Sequence, residues 1–134
     1  GADPKKVKRV VLCSGKVYYD LLEDQHKRGQ DDVALIRIEQ LYPFPRALLA
    51  TELKKFGKAA EVVWCQEEPQ NQGAWYQIQH HLRACLQPKQ VLGYAGRPRS
   101  PSPAVGHMAD HLHELQQLLA DAFTNPVAGV AVAD

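Results

Sequence analysis

The sequence predicts an α/β fold, a three-layer sandwich built on a mainly parallel sheet. Three observations carry that expectation. Four short apolar runs alternate with four segments of helical periodicity, the order of repeated strand–helix units with right-handed crossovers. The apolar runs are continuous rather than alternating, as in strands covered by helices on both faces. The chain of 134 residues, 45% hydrophobic and 23% charged, has the size and balance of a single globular domain.

Val7, Val10, Val11, Leu12 and Cys13 form a β-branched run that reads as the first buried strand, and Ser14-Gly15 turns the chain. From Val17 to Arg28, Val17, Tyr18, Leu21 and Leu22 recur at helical spacing, and Gly29 stands where a left-handed C-terminal residue belongs. Val33–Ile38 is the second strand. Pro43 and Pro45 interrupt the chain, and a helix follows from Arg46 to Phe56 with Leu48, Leu49, Leu53 and Phe56 as its apolar set, closed by Gly57. Glu61–Gln66 is the third strand, and Glu67–Gly73 reads as a polar loop. The next helix, Ala74–Cys85, carries Trp75, Ile78, Leu82 and Cys85 on one stripe, and Gln90–Ala95 is a weaker fourth strand. Pro98, Pro101, Pro103 and Gly106 make Arg97–Gly106 a loop. The last helix, His107–Phe123, turns Met108, Leu112, Leu115, Leu118 and Leu119 to the core. Residues 1–123 are thus expected to be one domain and 124–134 a flexible tail.

Composition excludes several functions. The formal net charge is +1, far from the basic surplus of a nucleic-acid binder. The one basic cluster, Lys5, Lys6, Lys8 and Arg9, reads as a solvated strand entry. No window approaches the roughly 18–20 consecutive apolar residues of a membrane helix, and the start GADPKKVKR leads into no signal-peptide core. Cys13, Cys65 and Cys85 form no CxxC pair. Cys13 and Cys65 end strand-like runs as small buried hydrophobes, which suits a reducing compartment such as the cytoplasm.

Ligands of open α/β sheets bind outside the carboxyl ends of the strands. Ser14-Gly15-Lys16 lies at such an end, where free N–H groups favour anions, but neither GxxxxGK[ST] nor GxGxxG is present. An ordinary tight turn is the preferred reading. Cys13 as a nucleophile lacks a histidine of known proximity. Glu67 and Glu68 are adjacent and point different ways on an extended segment, which suits pairing at an interface better than acid–base work. His107 and His111 share a helix face and His113 leaves it, so a solvated helix start is preferred over a metal site. His80 and His81 likewise do not share a face. Arg97, Arg99, Ser100 and Ser102 stand in a proline-rich loop that suits a phosphate, or a stiff arm docked on a neighbouring domain; docking is preferred.

Four blocks, CSGKVYYDL (Cys13–Leu21), RIEQLYPFP (Arg37–Pro45), WCQEEPQNQGAW (Trp64–Trp75) and YAGRPRSPSPAVGH (Tyr94–His107), resemble in order the C-terminal end of 2-oxoglutarate dehydrogenase. The resemblance implies a transketolase-C-like α/β domain of an oxidoreductase of the tricarboxylic acid cycle. The parent enzyme decarboxylates 2-oxoglutarate on thiamine diphosphate with Mg²⁺, then succinylates the lipoyl group of its acyltransferase partner. The family's cofactor segment, GDG…N, has no counterpart here. The resemblance therefore implies a fragment with no catalytic, cofactor or metal residues of its own, serving assembly with the remaining domains of the enzyme and its homodimer. No nucleic acid or membrane enters that picture.

Glu67, Glu68, Asn71, Trp75, Arg97, Ser100 and Ser102 are the expected interface residues. The alternative is an effector module in which Lys16, Arg46, Arg97 and Arg99 meet an acyl-CoA or nucleotide phosphate. A domain separated from its neighbours also exposes surface they would cover, so Trp75, Tyr76 and Tyr42 are expected to form an open apolar patch.

Overall fold

The computed structural model describes residues 3–97 and 108–128. Its elements are β1 (Arg9–Cys13), α1 (Val17–Arg28), β2 (Val33–Arg37), α2 (Arg46–Lys55), β3 (Glu61–Pro69), α3 (Trp75–Cys85), β4 (Val91–Arg97) and α4 (Met108–Thr124). The four strands are all parallel in the order β2-β1-β3-β4. Right-handed crossovers dictate the layers. The step from β1 to β2 runs one way and the steps to β3 and β4 run the other, so α1 lies on one face and α2 and α3 on the opposite face.

The core divides accordingly. Val10, Leu12, Val62 and Trp64 meet Leu49, Leu53, Ile78 and Leu82 on the α2–α3 side. Val11, Cys13, Val63 and Cys65 meet Val17, Leu21, Leu118 and Phe123 on the α1–α4 side. Successive strand residues thus serve both layers, which is why the runs are continuously apolar. Trp64, Leu12, Leu21, Leu53, Ile78, Leu82 and Leu118 are each under 2% exposed, and each contributes about 1.5–3 kcal/mol by leaving water.

Helix ends follow local chemistry in one case and depart from it in another. Gly29 ends α1 with φ 60°, donating its N–H to Gln25 and His26 carbonyls, a conformation that costs glycine little. Gly57 plays no such part. Phe56 closes α2 at φ −104°, and positive φ occurs among the described residues only at Gly15 and Gly29.

Several expectations need correction. β3 runs on to Pro69 through a register shift after Gln66, and β4 runs on to Arg97. Glu67 and Glu68 are therefore strand residues, carried in the register shift between the Gln66–Gly96 and Pro69–Arg97 pairs. Leu22, Leu48 and Leu112 are 45%, 72% and 56% exposed; each sits at the margin of a stripe whose centre fills the core. The start of the expected tail is packed down. Val127 is buried against Gly93, and its N–H donates to Glu61. Residues 129–134, like the side chain of Met108, lie outside the described set.

The largest correction concerns Arg9, which is 4% exposed rather than solvated. Its guanidinium donates to the carbonyls of Ala122 (2.8 Å), Asp121 (3.3 Å) and Asn125, and to Glu61 Oε2 at 3.0 Å. It thereby satisfies the Ala122 and Asn125 carbonyls where α4 ends, while Asp121 O also accepts from Asn125 N. One cation ties β1, β3, α4 and the chain beyond α4 together.

β2 is an edge strand. Asp32 O accepts from Lys8, and Ile38 N donates to Cys13 O. In a parallel ladder alternate residues face the same neighbour, so Val33, Leu35 and Arg37 turn their backbone groups outward. Gln25 covers part of that edge by donating to Val33 O at 2.7 Å.

Candidate functional site at the carboxyl end of the sheet

The strand order reverses between β1 and β3, so the crevice where such folds bind ligands opens at Ser14–Lys16 and Glu67. Lys16 Nζ meets Glu67 Oε1 at 3.0 Å, and that contact raises the lysine's affinity for its proton. Glu67 Oε2 is buried and has no hydrogen-bond partner. Asp20, one turn into α1, has its carboxyl pushed upward, first by burial and then by the charge of Glu67. Arg97 lies 3.0 Å from Glu114 of α4, yet its Nε is not aligned for a hydrogen bond. The two cations expected to meet an anion here are each matched by a carboxylate already.

A polar knot underlies this rim. Gln66, 3% exposed, accepts from Trp64 Nε1 (2.9 Å) and Trp75 N (3.2 Å), and donates to the carbonyls of Glu68 (3.1 Å) and Pro69 (2.9 Å). It fixes the register shift of β3 and the start of α3 together. Gly73 passes so close that a Cβ there would come within 2.6 Å of the Gln66 amide. Tyr94 completes the layer. Its ring lies 5.1 Å from that of Trp75, its hydroxyl donates to Arg97 O, and burial chiefly raises its pKa.

Beside the rim, the segment after β2 folds over α3. Tyr42 precedes a cis-proline, Pro43, and donates its hydroxyl to Gln77. Phe44 stacks on His81 at 4.9 Å, and Arg46 Nε donates to His81 Nδ1 at 2.7 Å. That bond places the neutral ring's proton on Nε2. Desolvation, then His80 and Arg46, lower the His81 pKa. A cleft of about 460 Å³ lined by Ile36, Phe44, Leu48 and Leu49 opens on the other side of this segment.

The expected residues therefore fall in different places. Lys16, Glu67 and Arg97 gather at the rim, Glu68 is exposed beside them, and Asn71 lies in the turn between β3 and α3. Arg46 stands apart, bonded to α3. Arg99, Ser100, Ser102 and His107 lie outside the described residues. Trp75 is a correction. At 6% exposure it is covered within the chain, because Gln66 and Tyr94 build its pocket. Tyr42 and Tyr76, at 60% and 44%, remain open. Gln66 and Glu114 went unremarked in the sequence. A polar residue at the end of a buried apolar run was a signal for Gln66, whereas Glu114 resembles any exposed helix carboxylate.

Cys13 is no nucleophile. Burial raises its pKa to about 12, the opposing field of Arg37 being the lesser effect, and burial raises Cys65 further still. The unfolded chain ionises these thiols near pH 8.5 while the folded chain keeps them protonated. Stability is thus present below that pH and falls as pH rises above it, with a slope of up to about 1.4 kcal/mol per pH unit for each thiol. Urea unfolding at pH 8 and pH 10.5 reads that slope directly; equal midpoints at the two values contradict it.

Among the described residues, no three His, Cys, Asp or Glu side chains converge to hold a metal ion, and no helix is long and apolar enough to cross a membrane.

Residues 1–123 match the family model described as 2-oxoglutarate dehydrogenase C-terminal. The chain belongs to that family. Among curated relatives, the 2-oxoglutarate dehydrogenase E1 component of Cupriavidus necator is 57% identical over 118 residues, covering 88% of this chain and 12% of the relative. Those of Azotobacter vinelandii and Haemophilus influenzae are 55% and 54% identical, each over 91% of this chain and 13% of the relative. The chain thus spans about an eighth of the length of these relatives, and its rim stands at the carboxyl end of a 2-oxoglutarate dehydrogenase C-terminal domain.

Proposed function

We propose that the chain acts as an assembly domain of a thiamine-diphosphate-dependent 2-oxoglutarate dehydrogenase. The observation that carries this reading is a family match across residues 1–123 by a chain that spans only about an eighth of its relatives. The whole enzyme converts 2-oxoglutarate to a succinyl group carried by the lipoyl arm of an acyltransferase, as a homodimer in the tricarboxylic acid cycle. This domain contributes contact surface. The rim formed by Lys16, Glu67, Glu68, Asn71 and Arg97 faces the neighbouring domains, in keeping with the open position of strand ends in such sheets.

The residues present do not fit the family's cofactor. The rim carboxylates Glu67 of β3 and Glu114 of α4 are engaged by Lys16 and Arg97, and among the described residues no three acidic, histidine or cysteine side chains converge as Mg²⁺ would need. The chemistry therefore belongs to the rest of the enzyme, and the isolated chain is inactive.

Calorimetric titration of this chain with thiamine diphosphate and Mg²⁺ is expected to give no binding heat at millimolar concentration; saturable binding overturns the reading. A complementary experiment removes the matching segment from the Cupriavidus necator relative. Lost assembly and activity, restored in part by adding this chain in trans, support the assembly role. A truncated enzyme of unchanged oligomeric state and activity does not.

A further inference from the structure

The two helix layers carry opposite charge. Residues 46–60 and 74–90, which comprise α2, α3 and the turns after them, hold Arg46, Lys54, Lys55, Lys58, Arg83 and Lys89 against the single carboxylate Glu52, a balance of +5. All six cations are exposed. Among the described side chains, the opposite layer, α1 and α4, holds Asp20, Glu23, Asp24, Glu114 and Asp121 against Lys27 and Arg28, a balance of −3. A near-neutral chain is strongly polarised across its sheet.

Aromatic groups stand among the cations. Tyr76, His80 and Arg83 recur at i, i+4 and i+7, and so form one stripe along α3. Tyr42 and Arg46 reach that helix from the other side through Gln77 and His81. Tyrosine and arginine are the residues that carry binding energy at protein interfaces. Tyr42 and Arg46 are already held in place, which reduces the entropy lost when a partner docks.

We infer that the outer face of α2 and α3 docks an acidic segment of a separate protein. Arg46 and Arg83 meet its carboxylates, and Tyr42 and Tyr76 meet its apolar side chains. Charge complementarity selects the sign of the partner. A nucleic acid fits poorly, since the exposed rings of Tyr42 and Tyr76 offer apolar area that the phosphate backbone of a duplex leaves uncovered. A second copy would have to present its α1–α4 layer to this face, a head-to-tail contact that builds a ring or a filament and not a two-fold dimer. The inference goes beyond the rim contacts proposed above and uses different residues, so either can fail alone.

The test is an amide chemical-shift titration of the whole chain with a 20-residue helical peptide bearing glutamates beside a leucine stripe. Shifts are expected to concentrate in residues 42–55 and 76–89. The double reversal Arg46→Glu/Arg83→Glu is expected to weaken binding at least tenfold, and Tyr76→Ala at least threefold. Arg83→Glu alone keeps the test valid if reversal of Arg46 unsettles α2, because Arg83 is exposed and, among the described residues, bonds only to Gln79 of its own helix. Unchanged binding by the reversals overturns the inference. So does an unaffected Tyr76→Ala, which reveals bare charge attraction. Tighter binding of a DNA duplex or of phosphatidylserine vesicles, or self-association of the chain alone that the reversals abolish, also overturns it.

Discussion

Replacement of Arg9 by methionine is expected to destabilise the chain by about 3–5 kcal/mol, the usual cost of removing one partner from a buried, hydrogen-bonded ion pair. The methionine keeps the apolar stem and deletes the guanidinium. Glu61 then faces the interior without its cation, and the carbonyls of Ala122 and Asn125 lose the guanidinium donor, while Asp121 O keeps the N–H of Asn125. Native domains of this kind are stable by only about 5–15 kcal/mol, so the melting temperature should fall by roughly 10 °C or more. Glu61→Gln should cost much less, because an amide oxygen still accepts from Arg9 and Val127. Urea unfolding of the three proteins decides the matter. A loss below 1 kcal/mol for Arg9→Met would mean that the guanidinium does not hold α4 to the sheet.

Gln66→Leu is the second large effect. The two side chains have similar volumes, so little cavity is created, and the change isolates hydrogen bonding. Trp64 Nε1 and Trp75 N lose their acceptor and the Glu68 carbonyl loses its donor, while Pro69 O keeps the N–H groups of Gln72 and Gly73. At 1–3 kcal/mol for each unsatisfied group, offset by relaxation toward water at the rim, the net loss should be about 3–4 kcal/mol. Gln66→Glu supplies a sign test. Its carboxyl, buried where the amide was, has its pKa raised, so stability is retained below the unfolded value near pH 4.3 and lost as pH rises above it. The wild-type chain has no such dependence at this position. Tryptophan fluorescence during unfolding at pH 5 and pH 7 reports both variants through Trp64 and Trp75; a Gln66→Glu chain more stable at pH 7 than at pH 5 contradicts the assignment.

These two positions also show where reading the sequence succeeds and where it stops. Element order and layer number were legible because Val10–Cys13, Val33–Ile38 and Val62–Cys65 are short β-branched runs with helical stripes between them. Periodicity reports one dimension, however. Arg9 looks like its lysine neighbours until α4, more than a hundred residues away, brings its carbonyls to it. Trp75 looks like an exposed anchor until Gln66 and Tyr94 enclose it. Leu48 and Leu112 carry the right chemistry at the edge of a stripe and stay outside. The candidate rim was legible as a location, since strand ends are fixed by topology. Its pairing was not, because the match of Lys16 with Glu67 and of Arg97 with Glu114 depends on registers between distant elements.

The open border of β2 has a colloidal consequence. Unpaired strand edges recruit other strands and seed ordered aggregates. This one offers only Val33, Leu35 and Arg37, five residues end to end, with Gln25 occupying one carbonyl and a guanidinium at the last position. Too few contiguous backbone groups remain to template a growing ladder. The β2 side of the sheet therefore stays free without inviting polymerisation, and what would have to lengthen before fibres form there is the strand itself.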